Sequence, residues 1–345
     1  MHRFEYANAA SLQAAQEQLK ADGSVIKAGG IDLLDLLKEH LIQPSRLVQL
    51  KSIPELSIVH FDPQRGLSIG PMLTLTQTTN HPLIKQHAPS LVQAAQSIAT
   101  TQIRNLATLG GNLCQRPRCW YFRSEDFQCF KKGGRRCFAQ EGENVNHAIY
   151  NNTLCAMVHP SGIAGPLVAL GASVTLLKPP APDKRLIKTK PLPPQTQTLP
   201  IEDFFTPPER NLLRETILGP RDILTQIHIP PRSPHSRDLY LKQKHKESAD
   251  WPLAEIAVSA EIEQGRCKSL RVVLGSAAPT PWRSKAVEDA ILGKPLDDKH
   301  IQQAAKAVRQ DAKPLAQNAY KLDLFETLVA RALHALNHPA SQGRP

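Results

Sequence analysis

No stretch of the chain stays apolar over the roughly 18 residues that a membrane-spanning helix needs. The nearest, residues 162–177, is broken by Pro166, Ser173 and Thr175. A soluble chain without membrane insertion is therefore expected. Residues 1–11 carry Glu5 and Asn8 and offer no apolar segment behind a basic start, so no export signal of its own is expected. Aromatics are scarce, with three Trp, five Tyr and nine Phe in 345 residues, and no internal repeat is visible. The 13 histidines are scattered without a Ser or Cys partner at motif spacing, and no catalytic residue is expected here. Cysteine is absent from residues 1–113, and after residue 155 there is only Cys267.

The length suggests roughly two or three domains, each able to bury a core. Net charge is +11, which fits nucleic acid, an acidic partner subunit or a basic proteome background.

A helix is expected after Ser11, with Leu12, Ala15 and Leu19 on one face and Asp22-Gly23 as its stop. A strand over residues 25–28 then runs into Gly29-Gly30 and a helix over 31–37, and a second strand covers 46–50; together they read as a βαβ-like unit. Further on come a strand at 67–69, a helix over 90–100, and a second glycine turn, Thr108-Leu109-Gly110-Gly111-Asn112. A short helix over 165–171 leads into a strand at 173–177. Seven prolines and several basic residues between 178 and 200 predict an extended, exposed arm without regular structure. Strands at 223–229, 239–242 and 269–275 precede helices over 284–292, 300–312 and 318–336; Leu322, Phe325, Val329, Leu333 and Leu336 mark the core face of the last.

Five of the six cysteines, Cys114, Cys119, Cys129, Cys137 and Cys155, crowd into 42 residues. Disulfides suit secreted mini-domains better than a chain of this size. Zinc usually takes paired knuckles of two to four intervening residues, and only one spacing here is that short. An iron–sulfur cluster needs four thiolates and tolerates irregular spacing. Trp120, Tyr121, Phe122, Phe127, Phe130 and Phe138 interleave with the thiols and offer a water-excluding wall. Arg116, Arg118, Arg123, Lys131, Lys132, Arg135 and Arg136 offer counter-charge to an anionic cluster. Cluster, zinc site and solvated basic loop all remain open on composition, and the basic–aromatic mixture also suits single-stranded nucleic acid. A zinc-containing, basic nucleic-acid-binding protein is the alternative class.

Taken together, the glycine turns and the cysteine loop resemble the FAD-binding medium subunit of molybdenum hydroxylases, the xanthine dehydrogenase family, over nearly the whole chain. Lys27-Ala28-Gly29-Gly30-Ile31-Asp32-Leu33 resembles the family's first flavin loop. Gln102-Ile103-Arg104-Asn105 followed by Ala107-Thr108-Leu109-Gly110-Gly111-Asn112 resembles the second. The strand at 222–230, with Tyr240-Leu241-Lys242 after it, is similar to the end of the flavin domain and the start of the C-terminal one. The run from Asn112 to Arg123 is similar to a subgroup with an additional [4Fe-4S] cluster, which includes bacterial periplasmic aldehyde oxidoreductase and 4-hydroxybenzoyl-CoA reductase.

The resemblance implies an α+β fold: a two-subdomain FAD-binding domain of the PCMH/VAO type over 1–55 and 56–232, then a C-terminal α+β domain of the CO dehydrogenase flavoprotein type over 233–345. The iron–sulfur loop would span 113–155 and the Pro-rich arm 178–200. Implied FAD contacts are Ile26, Lys27, Ala28, Gly29, Gly30, Ile31, Asp32, Leu33, Thr108, Leu109, Gly110, Gly111, Asn112, Gly162, Leu224 and Lys242. Glycine turns suit a pyrophosphate because inward backbone N–H groups form an anion nest. Cys119, Cys129, Cys137 and Cys155 would ligate the cluster, leaving Cys114 as a free thiol or packing residue and Cys267 as a small buried one. Where the family commonly has an aspartate after the serine matched by Ser161, this chain has Gly162. The implied role is electron relay from a molybdenum-cofactor large subunit and a [2Fe-2S] small subunit through FAD to an acceptor, in a heterotrimer acting on an aldehyde or aromatic compound. The basic loop 116–136 and the Pro-rich arm are the implied subunit contacts. Either cytoplasm or periplasm is compatible, the latter by export with a partner.

Overall fold

The computed structural model describes residues 1–179, 195–246 and 248–337. It shows the expected α+β class, built on three sheets in chain order.

The first sheet contains β1 (Glu5–Asn8), β2 (Ser24–Lys27) and β3 (Arg46–Gln49), all parallel in the order β1-β3-β2. Ser11 caps the helix Leu12–Gln18, its Oγ accepting the Ala14 N–H at 3.1 Å. Between β2 and β3 runs the helix Ile31–Lys38, with Asp32 in its first turn and Lys38 in its last, the signs that the helix dipole favours. This helix completes the βαβ unit expected from the glycine pair. Strand β1 went unforeseen because its sequence, Glu-Tyr-Ala-Asn, has no apolar alternation; only pairing to β3 makes it a strand.

The second sheet is antiparallel, in the order β4 (Val59–Asp62), β5 (Gly66–Ile69), β8 (Ile223–Ile229), β6 (Ser173–Lys178) and β7 (Gln195–Pro200). Strand β7 corrects the reading of the proline-rich arm. Its residues pair with β6 from Ser173↔Pro200 to Lys178↔Gln195, and its terminal proline is tolerated because β7 is an edge. The rest of the expected arm, 180–194, lies outside the described residues.

The third sheet, also antiparallel, runs β12 (Trp282–Arg283), β11 (Arg266–Gly275), β10 (Ala254–Glu263) and β9 (Ser236–Gln243). Strand β10 was missed entirely. Its sequence AEIAVSAEIE is rich in Ala and Glu, poor strand formers, and the strand is buried almost continuously, so the alternation of a half-exposed strand never appears.

The helices Pro89–Ser97 and Ala164–Ala169 lie between the second and third sheets in one core, where Leu91, Leu167 and Ile227 join Tyr240, Ala257 and Val273. The other face of the third sheet packs on Lys285–Ile291, Asp298–Lys306 and Lys321–Asn337, whose Phe325, Val329, Leu333 and Leu336 are fully buried as their stripe predicts. Each such side chain contributes about 1.5–3 kcal/mol of burial. Cys267 is fully buried in this core. The helix expected over 90–100 stops at Ser97: Ala99 adopts φ 48°, and Thr100 caps a new helix, Thr101–Arg104, aimed at the second glycine turn.

Candidate functional site

Strand β2 delivers the chain to Gly29-Gly30, whose two glycines do different things. Gly30 has φ 85° and starts the helix Ile31–Lys38 with no side-chain cap. A side chain there would be strained. Gly29 sits against the second loop: a Cβ on it would overlap the carbonyl oxygen of Leu106 and lie 3.1 Å from the Ala107 Cα. Two turns almost 80 residues apart in sequence thus meet backbone to backbone, which requires that one of them lack a side chain.

The N–H groups of Ile31, Asp32 and Leu33 have no acceptor among the described residues, as at any uncapped helix start. In the second turn the donors are already used. Leu109 N–H bonds to the Leu73 carbonyl at 3.0 Å, Gly110 N–H to Pro71 at 2.7 Å, and Gly111 N–H to the capping Thr108 Oγ1 at 3.1 Å. The expected pair of equivalent nests is therefore one open turn and one satisfied turn. The second turn contributes close approach, and the first contributes free donors.

Both turns line a cleft of about 660 Å³. Of the residues singled out in the sequence, Ile26, Ala28, Gly29, Gly30, Ile31, Asp32, Leu33, Thr108, Gly110, Gly111, Asn112, Gly162, Leu224 and Lys242 line it. Lys27 and Leu109 do not. The Lys27 chain folds over Gly30 and its Nζ lies 5.8 Å from the Tyr6 ring centroid, while Leu109 is fully buried in the core. Asn112 Oδ1 accepts from Ser161 Oγ at 2.7 Å, and Lys242 Nζ donates to the Ser97 carbonyl at 3.0 Å, so both are held in place. Burial lowers the Lys242 pKa, against the pull of Glu255. Sequence reasoning missed Glu255, Trp251, Arg116 and Arg118 in the wall; nothing in the local pattern of any of them marks a cleft.

Asp32 does more than line the cleft. Its carboxylate accepts the Arg116 N–H at 2.7 Å and faces the guanidinium groups of Arg118 at 2.9 Å and Arg123 at 2.7 Å. It pins the start of the cysteine loop to the first glycine turn. Replacing it removes the carboxylate that Arg118 and Arg123 share, leaving them Asp35 and Glu39, so Asp32→Ala is expected to lower stability by about 2 kcal/mol. The check is an earlier urea unfolding midpoint with faster proteolytic cutting between residues 116 and 136; unchanged cutting would show that the loop needs no such anchor.

The thiols of Cys119, Cys129, Cys137 and Cys155 face one cavity of about 20 Å³, walled by Tyr121, Phe122, Phe130 and Phe138. Cys114 is not among them; it lines the cleft beside the second turn, where burial pushes its thiol up to about 12. Cys137 and Cys155 share a hydrogen bond that lowers the pKa of the first and raises that of the second. His147 Nε2 lies 3.2 Å from Cys119 Sγ. Among the described residues, no three His, Cys, Asp or Glu side chains are set as ligands of a single metal ion. The cations expected to offer counter-charge to a cluster are mostly paired with carboxylates of the chain. Arg123 also reaches Glu39 at 3.0 Å, and buried Glu215 takes both Arg116 at 2.6 Å and Lys131 at 2.8 Å. Much of loop 116–136 is thus cross-linked to the body of the chain. No helix among the described residues is long and apolar enough to cross a membrane.

The sequence matches define a flavin-binding class of protein. Residues 2–232 match the family described as the FAD binding domain in molybdopterin dehydrogenase, and residues 239–336 match the CO dehydrogenase flavoprotein C-terminal domain. The chain is similar to the aldehyde oxidoreductase FAD-binding subunit PaoB of Escherichia coli, 30% identical over 93% of this chain and 94% of that one. It is 25% identical to the carbon monoxide dehydrogenase medium chain of Hydrogenophaga pseudoflava, over 96% of each. Among solved structures, quinoline 2-oxidoreductase from Pseudomonas putida has the same fold with a TM-score of 0.73 at 21% identity, covering 98% of both chains. The chain belongs to the FAD-binding subunits of molybdopterin-dependent dehydrogenases, and it is an oxidoreductase component. The zinc and nucleic-acid alternative finds no support in these matches.

Proposed function

We propose that this chain is the electron-transfer subunit of a molybdenum-dependent hydroxylase of the aldehyde oxidoreductase type, holding FAD in the cleft and a [4Fe-4S] cluster on Cys119, Cys129, Cys137 and Cys155. The observation that carries the reading is the backbone contact between Gly29 and the 106–107 loop, which brings both family glycine turns to one cleft. FAD, when bound, supplies reversible two-electron chemistry. The open N–H groups of residues 31–33 bind its pyrophosphate, and the second turn admits the cofactor closely. Lys242 offsets negative charge on the flavin side. The donor set is the one a cluster takes: four cysteines line one aromatic-walled cavity, with Lys131 beside them. A molybdenum-cofactor large subunit and a [2Fe-2S] small subunit are the proposed partners, and a separate acceptor takes the electrons.

An anaerobic absorption spectrum of the purified chain, with flavin, iron, sulfide and zinc quantified, tests both parts. Flavin bands over a broad shoulder with about four irons per chain support the full reading. Flavin without iron overturns the cluster assignment, and zinc without flavin overturns the whole.

A further inference from the structure

Glu255 lies on β10, is fully enclosed yet lines the inner wall of the cleft, and is absent from the resemblance-based site. The fold is shaped to keep a carboxyl group there. Tyr240 on neighbouring β9 donates its hydroxyl to Glu255 Oε1 at 2.7 Å. Lys242 is directly across the strand pair, Glu255↔Lys242. On β11 the position opposite is Gly275, where a Cβ would overlap Glu255 Oε2. From the cleft side, Gly162 leaves room: a Cβ there would come 3.5 Å from Oε1 and 3.2 Å from two carbons of Ile98. Two glycines, a tyrosine hydroxyl and a lysine surround one carboxyl group.

We propose that Glu255 is the proton-holding residue of the flavin cleft, taking up a proton when the bound flavin is reduced. This rests on FAD occupying the cleft. Two electrons, from a one-electron iron–sulfur donor acting twice, enter with one proton and leave the cofactor one charge more negative. A carboxylate in the same low-dielectric wall then becomes less favourable. The Glu255 carboxylate accepts a second proton from solvent and becomes the neutral acid, so each reduction consumes two electrons and two protons in the window between the residue's two affinities. Burial already raises its proton affinity above the usual carboxylate range. Lys242, the Tyr240 hydrogen bond and, more distantly, Lys321 of the C-terminal helix oppose that rise, while Asp250 acts on Lys242. The helix Ala164–Ala169, packed on the same strands, brings no titratable group.

The test uses the full flavin-loaded chain, titrated with dithionite from pH 5.5 to 9, comparing wild type with Glu255→Gln and Glu255→Asp. In wild type the flavin midpoint potential falls more steeply with pH inside one window. In Glu255→Gln the steep segment is lost at unchanged flavin content, and in Glu255→Asp it is kept but displaced. Reduced-minus-oxidised infrared spectra show a protonated-carboxyl band that Glu255→Gln removes. Superimposable profiles with intact flavin overturn the proposal. A wild-type chain that binds no flavin overturns the underlying reading instead, and Glu255→Asp carries the comparison if the glutamine variant does not fold.

Discussion

Gly29→Ala is expected to weaken FAD binding at least tenfold, about 1.4 kcal/mol. The methyl group would have to occupy the space of the Leu106 carbonyl oxygen, and that atom belongs to backbone. It cannot move as a side chain would. Relief comes only by parting the two turns, which widens the cleft between the open N–H groups and the second turn. The strain falls on a surface where Leu106 itself is half-exposed, so the loops separate without unfolding the cores on either face of the third sheet. The measurement is a fluorescence titration of flavin-stripped chain with FAD, alongside Gly265→Ala as a control. Gly265 has a positive φ, 72°, which Gly29 lacks, but nothing lies within 4 Å of its Cβ position, and it is far along the chain in the β10–β11 turn. A general destabilisation from replacing a glycine would show in the control, whereas the overlap with Leu106 belongs to Gly29→Ala alone. Equal FAD affinity for Gly29→Ala and wild type would show that contact between the turns does not shape the cleft.

The second large effect separates two cysteines only 23 positions apart. Cys137→Ser is expected to drop iron from about four per chain to near zero, because a cubane cluster needs four thiolates. Cys114→Ser is expected to keep its iron. Cys114 lines the cleft, not the cavity that Cys119, Cys129, Cys137 and Cys155 share. Its thiol, held neutral by burial at about 12, is also a poor nucleophile, so alkylation by iodoacetamide at pH 8 should be slow there. Equal iron in the two variants would break the ligand assignment. Parallel loss of flavin in Cys114→Ser alone would instead place its effect in the cleft.

How much of this was legible differs from element to element. The Gly29-Gly30 turn was visible because a strand-like run, a glycine pair and a helical stripe are local signals, and Gly30 indeed adopts the left-handed conformation. The C-terminal helix announced its buried face by a stripe of Leu and Phe. The convergence of four thiols was readable from clustering and resemblance, since the loop between them is short. The polar edges β1 and β7 and the central strand β10 were not readable. Their identity comes from partners: β3, β6, and the pair β9 and β11. Missing β10 also meant missing Glu255, which reads in isolation as a surface glutamate between Ala and Ile.

The paired cations teach the same lesson. Arg116, Arg118 and Arg123 read as counter-charge for a cluster, yet they reach Asp32, 84 to 91 positions earlier, and Glu215, nearly 100 later. The sequence by itself determined the first glycine turn, the family, the core stripe of the last helix and which cysteines are close along the chain; Gly110 and Gly111, read as a turn, lie instead in the short helix Leu109–Leu113. Only the tertiary structure decided that the first turn keeps its donors free while the second spends them, that the turns touch, and that a carboxyl group stands in the cleft wall. Each of those depends on contacts between residues far apart in sequence, and such contacts exist only once the sheets have packed.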